Sequence, residues 1–317
     1  MNTLQNIVCT NVLGNTGVAK CVYDPKNIIG AVLVPAGTTY TQTQQAGLLS
    51  VLIAAAKANS PTARIFPIKR FIGMESVGSE NVLTDDAYGG KSKSRQGKYG
   101  WVFQYKNGGI DLHTALMSFD MKEDLYDLLL IDGANNTIWG TTNSPGVFSG
   151  FTLELIDVQN ISITPEDTMY KIGFYLEDPD EINYRSATYA VTKSTSIIKS
   201  LSGLLNIRPI VHTANVSGLV KLQLFNGETN LADVYPTELA TAALYTAIAR
   251  TTQAAITVTS VTYAAATKSF NVQLDASDAD YIAVATGGYI DISIGGVTAL
   301  ETALVIGYAE TTIGITK

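Results

Sequence analysis

Apolar and polar residues alternate in short runs along most of this chain, and a period of two places successive side chains on opposite faces of a strand. Near the start, Ile7 to Thr10, Val18 to Tyr23 and Ile28 to Pro35 read as strands, separated by the turn signals Gly14-Asn15-Thr16-Gly17 and Asp24-Pro25-Lys26-Asn27. The period then changes. Leu48, Leu49, Leu52, Ile53 and Ala56 form an i, i+4 stripe that predicts a helix from about Thr43 to Ala58, stopped by Asn59-Ser60-Pro61. Arg64 to Ile72 returns to alternation, and Pro61 and Pro67 favour an edge position because proline donates nothing to a ladder.

From Gly73 to Lys98 the pattern lapses. This stretch begins acidic, with Glu75, Glu80, Asp85 and Asp86, and turns basic, with Lys91, Lys93, Arg95 and Lys98. It reads as a long charged loop, a class that is functional or disordered when it occurs in a compact domain. Trp101, Phe103 and Tyr105 then give a strand with an aromatic face, followed by a short helix around Leu112 to Phe119. Leu125 to Ile131 and Thr137 to Gly140 flank Asp132-Gly133-Ala134-Asn135-Asn136 and predict a hairpin. Phe151 to Val158, Tyr170 to Leu176 and Arg185 to Thr192 continue the strand pattern.

A change of composition marks residues 193–206 as a connector with a turn or two of helix, and the chain beyond it is rich in Thr, Ala and Val. Strands are expected at Ile210 to Val216, Leu219 to Phe225, Ala255 to Tyr263, Phe270 to Leu274, Tyr289 to Ile294 and Ala303 to Tyr308. A helix over roughly 236–250 is expected from Pro236 at its first turn, with Leu244 and Ile248 on its buried face. The fold class is therefore mostly β: residues 1–192 as one β-sandwich module with one packed helix, and 207–317 as a second, Ig-like β-sandwich. The second lacks the Cys…Trp…Cys signature of antibody-type domains.

Composition supports two cores and few charges. Of 317 residues 46% are apolar and only 15% charged, which points to more covered surface than a solitary domain has. The formal charge of −7 opposes tight binding of nucleic acid, since neutralising phosphates needs clustered Lys and Arg. No apolar run is long enough for a membrane-spanning helix, and Met1 to Lys20 lacks the layout of a secretory leader. Cys9 and Cys21 are expected to be reduced, and the Asn-x-Ser/Thr matches at Asn135, Asn160 and Asn215 to be chance.

Little here is equipped for chemistry. The two histidines, His113 and His212, are a hundred residues apart, and no Gly-x-Ser-x-Gly elbow accompanies them. Gly14 to Lys20 lacks the spacing of a phosphate loop. Glu177-Asp178-Pro179-Asp180-Glu181 packs four carboxylates around a proline, and Asp275, Asp278 and Asp280 make a second acidic group. Either could offer oxygens to a hard cation, but neither matches the EF-hand loop, and a polar turn explains both better. No catalytic residue, metal or cofactor is assigned; a hydrolase with acids in a cleft ranks lowest among the readings.

The order of elements over residues 1–192, with an appended sandwich, resembles the tube-forming proteins of long-tailed bacteriophages. The stretch Arg70-Phe71-Ile72-Gly73-Met74-Glu75, the strand Lys98-Tyr99-Gly100-Trp101-Val102-Phe103 and the hairpin from Leu125 to Trp139 are also similar to virion proteins of phages infecting Bacteroidetes. The resemblance implies a virion component assembled in the host cytoplasm, a helix packed on a β-sandwich, and copies stacked as hexameric rings through which DNA passes without tight binding. It implies inter-subunit contact by the charged loop, carried by Glu80, Asp85, Asp86, Lys91, Lys93, Arg95 and Lys98. It also makes Glu177, Asp178, Asp180 and Glu181 candidates for an acidic lumen or loop, and the C-terminal sandwich an outer decoration. The partners are sister copies and other virion proteins. Other readings left open are a capsid, collar or head-decoration subunit, and a carbohydrate-binding adhesin.

Overall fold

The computed structural model describes residues 25–317 apart from 86–89, 135, 145 and 192–194. The strands expected at Ile7 to Thr10 and Val18 to Tyr23, the turn at Gly14–Gly17, both cysteines, Asn135 and Asp86 lie outside the described residues. The chain divides into two compact units, Met1–Ala56 with Thr62–Ser202, and Lys57–Pro61 with Gly203–Lys317.

The first unit begins with β1 (Ile28–Pro35), β2 (Thr39–Tyr40), α1 (Gln42–Gln45) and α2 (Leu48–Ala56). Next come β3 (Phe66–Lys69), β4 (Gly73–Ser76), β5 (Val82–Asp85), β6 (Lys91–Arg95), β7 (Gly100–Lys106) and α3 (Gly109–Met117). It continues with β8 (Tyr126–Asp132), β9 (Thr137–Ser144), β10 (Val147–Ser149), β11 (Phe151–Ile163) and β12 (Thr168–Leu176), and ends with α4 (Asp180–Asn183), β13 (Ser186–Ala190) and α5 (Ile197–Ser200).

Eleven of these strands form one antiparallel sheet in the order β2-β10-β9-β8-β11-β12-β7-β4, with β1 on β8, β3 on β1 and β13 on β9. The sheet doubles over at β11, which pairs with β8 through Phe151 and Thr152 and with β12 along the rest of its length. The fold packs Ala31, Leu33, Leu128 and Leu130 of the first layer against Trp101, Phe103, Ile156, Ile172 and Phe174 of the second. The opposite face of the first layer, with Val32, Val34, Leu129 and Ile131, receives Leu48, Leu52 and Ala56 of α2. β1 and β8 are thus covered on both faces, which is why they read as near-continuous apolar runs.

Several expectations need adjustment. The helix expected from Thr43 is broken at Ala46–Gly47 into α1 and α2, α1 opening on a capping box between Thr41 and Gln44. Pro67 does mark an edge, for among the described residues β3 pairs with β1 alone. The connector is no neutral spacer: α5 buries Ile197, and Leu201 joins it against the α2 face, so the boundary falls between Ser202 and Gly203. The largest difference is the charged loop, half of which is strand: β4 extends the sheet beside β7, and β5 with β6 makes a separate two-stranded ribbon.

The second unit contains β14 (Arg208–Val216), β15 (Leu219–Asn226), β16 (Thr229–Asn230), β17 (Tyr245–Ala249), β18 (Ala255–Ile256), β19 (Val258–Ala264) and β20 (Ser269–Leu274). It is completed by α6 (Ala279–Ala283), β21 (Tyr289–Ile294), α7 (Val297–Thr302) and β22 (Thr311–Thr316). One sheet runs β14-β15-β20-β19 with β16 on β15, the other β18-β17-β21-β22. Val220, Leu222, Phe270 and Val272 of the first share a single core with Tyr245, Ala247, Ile290 and Ile292 of the second, so the unit is a two-sheet sandwich.

Two expectations fail here. The helix over 236–250 is replaced by 3-10 turns and strand β17, whose Tyr245, Ala247 and Ala249 point into the core. The strand at Ala303 to Tyr308 does not form, because Leu304 (φ 65°) and Gly307 (φ 86°) hold left-handed backbone that no strand can use. The closing strand is β22 instead.

Candidate assembly surface

The β5–β6 ribbon stands apart from both layers of the first unit. All nine of its residues are exposed, and among the described residues it pairs with no other strand. Its root is well fixed. Ser79 N–H donates to the Lys98 carbonyl (2.8 Å), Lys98 N–H to Ser79 Oγ (2.9 Å), and Gly97 N–H to Asn81 Oδ1 (2.8 Å). Gly78 and Gly97 bring the two strands of the stem together so closely that a Cβ at either would collide with the opposite backbone.

The stem is also tied to the body by side chains. Gln96 Nε2 donates to Asp180 Oδ1 (2.9 Å), Lys98 Nζ meets Glu154 (2.6 Å), and the Tyr99 hydroxyl donates to Asn183 Oδ1 (2.7 Å). The ribbon therefore leaves from a rigid base.

Alternation gives the ribbon two unlike faces. Lys91 and Lys93 fall on one side of β6, and a bulge at Ser94 sets Arg95 opposite Val82 instead of in line with them, while the Ser92 and Ser94 hydroxyls donate back to the Thr84 and Val82 carbonyls. Asp85 lies opposite Lys91 at 3.8 Å, a loose and exposed pair, and Leu83 lies opposite Lys93. The Arg95 side chain makes no hydrogen bond or ion pair with another described residue. Val82 and Leu83 are 45% and 56% exposed, so the ribbon presents apolar surface beside three cations.

Of the residues expected to make inter-subunit contact, the structure thus brings Asp85, Lys91, Lys93 and Arg95 together on the ribbon. Glu80 sits exposed at its base, Lys98 is held in the stem by Glu154, and Asp86 lies outside the described residues. Sequence reading missed Val82 and Leu83. Their signal was the Val-Leu-Thr-Asp run facing the strict Lys-Ser-Lys-Ser-Arg alternation, which is strand periodicity written without apolar residues.

The acidic group at 177–181 is built differently from an open charged wall. Glu181 is buried, its Oε2 accepting from Thr152 N–H (2.8 Å) and its Oε1 from Thr152 Oγ1 (3.1 Å); burial nonetheless pushes its carboxyl above the usual range. Asp178 pairs with Arg185 and accepts from Asp180 N–H, and Asp180 accepts from Gln96. The Glu177 side chain is exposed. Three of the four carboxylates therefore join α4 to its neighbours.

No catalytic arrangement emerges among the described residues. His113 lies half-buried on α3 with an unpartnered Nδ1, and His212 is exposed beside Thr213 in the other unit. No group of three His, Cys, Asp or Glu could hold a metal ion among the described residues. Asp275 and Asp278 spend their oxygens on the N–H groups of Ser277, Asp280 and Thr257. A groove of about 660 Å³ runs where the chain crosses from β3 to β4, lined by Arg70, Phe71, Ile72, Met74 and Trp101. It holds no carboxylate or histidine, so it has no acid–base pair.

Among the described residues no helix is long and apolar enough to cross a membrane. No protein-family model, curated protein or solved structure matches this chain.

Proposed function

We propose that this chain is a structural subunit that assembles with copies of itself, in the manner of a phage tail-tube protein forming stacked, hexameric rings around passing DNA. The β5–β6 ribbon carries the reading. A two-stranded hairpin alone is marginally stable in water, and this one combines exposed aliphatic side chains with three cations on a fixed base. Such a ribbon gains order by adding its edges and its charged face to another surface. The edge strands β3 and β4, each paired on one side only among the described residues, offer further main-chain groups for the same purpose.

In this reading Glu80, Asp85, Lys91, Lys93 and Arg95 set register between subunits, with Lys98 holding the stem. Glu177, Asp178 and Asp180 add negative charge to the module while their backbone and side-chain bonds hold α4. The second unit, an Ig-like sandwich with its own core, decorates the assembly, and the location is the virion.

The test is electron microscopy and light scattering on the purified full chain over a concentration series, beside a variant in which residues 82–95 are replaced by a short Gly-Ser link. Rings or tubes from the parent, and a folded monomer from the variant, are expected. A parent that stays monomeric at millimolar concentration, or a variant that still polymerises, overturns the assignment. Shells or isolated rings in place of tubes would move the role to capsid or collar.

A further inference from the structure

The ladder β11–β12–β7 has two chemically opposite ends. At one end the chain enters β7 from the ribbon stem, where Lys98, Tyr99 and Gly100 face Glu154, Asn183 and Tyr175. At the other, Lys106 lies opposite Met169, and Asn107 exchanges hydrogen bonds with Thr168 (2.8 and 3.0 Å). Seven residues of β7 separate the two ends by about 20 Å.

That far end is acidic and apolar. The first turn of α3 exposes Ile110, at 65%, beside Asp111, and the β11–β12 turn exposes Ile163, at 77%, with Glu166. Asp167 pairs with Lys106 at 2.8 Å, and neither Asp111 nor Glu166 has an ion-pair partner among the described residues. Exposed isoleucines that conspicuous are surface that water covers poorly.

Within one unit, the ribbon carries Lys91, Lys93 and Arg95 beside Leu83 and Val82, and the opposite end carries Asp111 and Glu166 beside Ile110 and Ile163. We infer that the ribbon of one copy docks on the Ile110–Asp111 and Ile163–Glu166 end of a second copy, a head-to-tail contact repeated along the polymer. The inference rests on the self-assembly proposed above and names its receiving surface. Two different patches meeting make a heterologous interface, which propagates into a ring or a filament instead of stopping at a dimer. Complementary charges fix the register and disfavour ribbon-to-ribbon pairing, because like charges would then meet.

The experiment uses charge reversals at exposed positions, which leave the core untouched. K93E/R95E inverts the ribbon, D111K/E166K inverts the receiver, and the quadruple variant inverts both. Each double variant is expected to weaken self-association at least tenfold in sedimentation velocity, with melting temperatures unchanged. The quadruple variant is expected to recover assembly, and a mixture of the two doubles to co-assemble in alternation, because each ribbon then meets a receiver of opposite charge on the other variant. Raising salt should weaken the parent polymer, since exposed charges are screened. If D111K/E166K assembles as the parent does while K93E/R95E does not, the receiving surface is overturned and self-assembly stands. If the parent itself never associates, both fall together.

Discussion

Strands β8 and β6 belong to one folded unit and are made of opposite materials: Tyr126–Asp132 reads YDLLLID and Lys91–Arg95 reads KSKSR. Six of the seven residues of β8 are buried, between α2 on one side and the second sheet layer on the other. Every residue of β6 is exposed. Both keep strand backbone, but β8 is paired along both edges, whereas among the described residues β6 is paired along one, with a bulge at Ser94. They differ too in what covers each face. β8 is stabilised by its own chain, whereas the ribbon packs on none of the described residues of its own chain. The first is the part that makes the unit fold; the second is the part to which the proposed assembly assigns the contact between copies.

Hydrogen exchange should give the widest separation between them. Amides of β8 should open only with the whole unit, at a cost of roughly 5–15 kcal/mol for a typical domain, while ribbon amides in the monomer exchange nearly as fast as a free peptide. Protection of the ribbon that rises on polymerisation would sharpen the contrast. Strong protection in a dilute monomer would break it.

Next in size is the core. Phe103 is fully buried, stacked on Phe71 at 4.5 Å and tilted against Phe174 at 5.6 Å. Phe103→Ala should cost about 3–5 kcal/mol in urea denaturation, from lost transfer energy plus the cavity left behind. A loss under about 1 kcal/mol would show that the two layers are not packed as described.

These strengths explain what could be read from the residues alone. The hairpin β8–β9 was legible because a long apolar run, a turn of small polar residues and a second run agree with one another, and Leu130 does lie opposite Trp139. β17 was misread because Ala242 to Ala249 mixes alanine-rich helix propensity with Leu244 and Ile248 at i, i+4 spacing, and the facing sheet decides for a strand. β22 was missed because Gly314 interrupts its alternation; the space a Cβ would take there is filled by the Arg250 guanidinium, held by Asp291. The ribbon was read as loop because strand periodicity was sought in apolar residues, and this strand writes it in charges. The site residues were legible as a group. Their joint placement on one ribbon depends on the glycine-tightened stem, which no local pattern announces.

One buried carboxylate makes the folded interior itself respond to pH. Asp127 Oδ2 accepts from the N–H of Gly37, whose positive φ (73°) shapes the turn into β2, and burial pushes its pKa up to about 6. The Tyr40 hydroxyl, close enough to feel that charge, is buried without a partner and is itself pushed up. A carboxyl whose folded pKa lies above its unfolded value contributes stability that is fully present below about pH 4 and lost as the pH rises through about 6. Asp127→Asn keeps an acceptor for Gly37 and removes the buried charge. It should raise stability at pH 7.5 by on the order of 1–2 kcal/mol and flatten the stability curve between pH 4 and 7. Glu181 acts in the same sense, so the difference between parent and variant is the quantity to measure. A variant that loses stability at pH 7.5 would mean that the carboxylate's bond to Gly37 outweighs the cost of burying its charge.

The smallest effect expected on folding bears most directly on the contrast between the two strands. Leu83 is 56% exposed and touches no core, so Leu83→Ser should change the monomer's unfolding free energy by no more than about 0.5 kcal/mol. The same change removes the main aliphatic contact that the ribbon can offer a neighbour, and should therefore weaken self-association while the melting temperature stays put. Stability and assembly would separate at this one position, as they cannot at Phe103, where any loss of polymer would follow from loss of fold. If Leu83→Ser destabilised the monomer by more than about 1 kcal/mol, the ribbon would be packed against its own unit after all, and its cations would be fixing that internal contact instead of a sister copy.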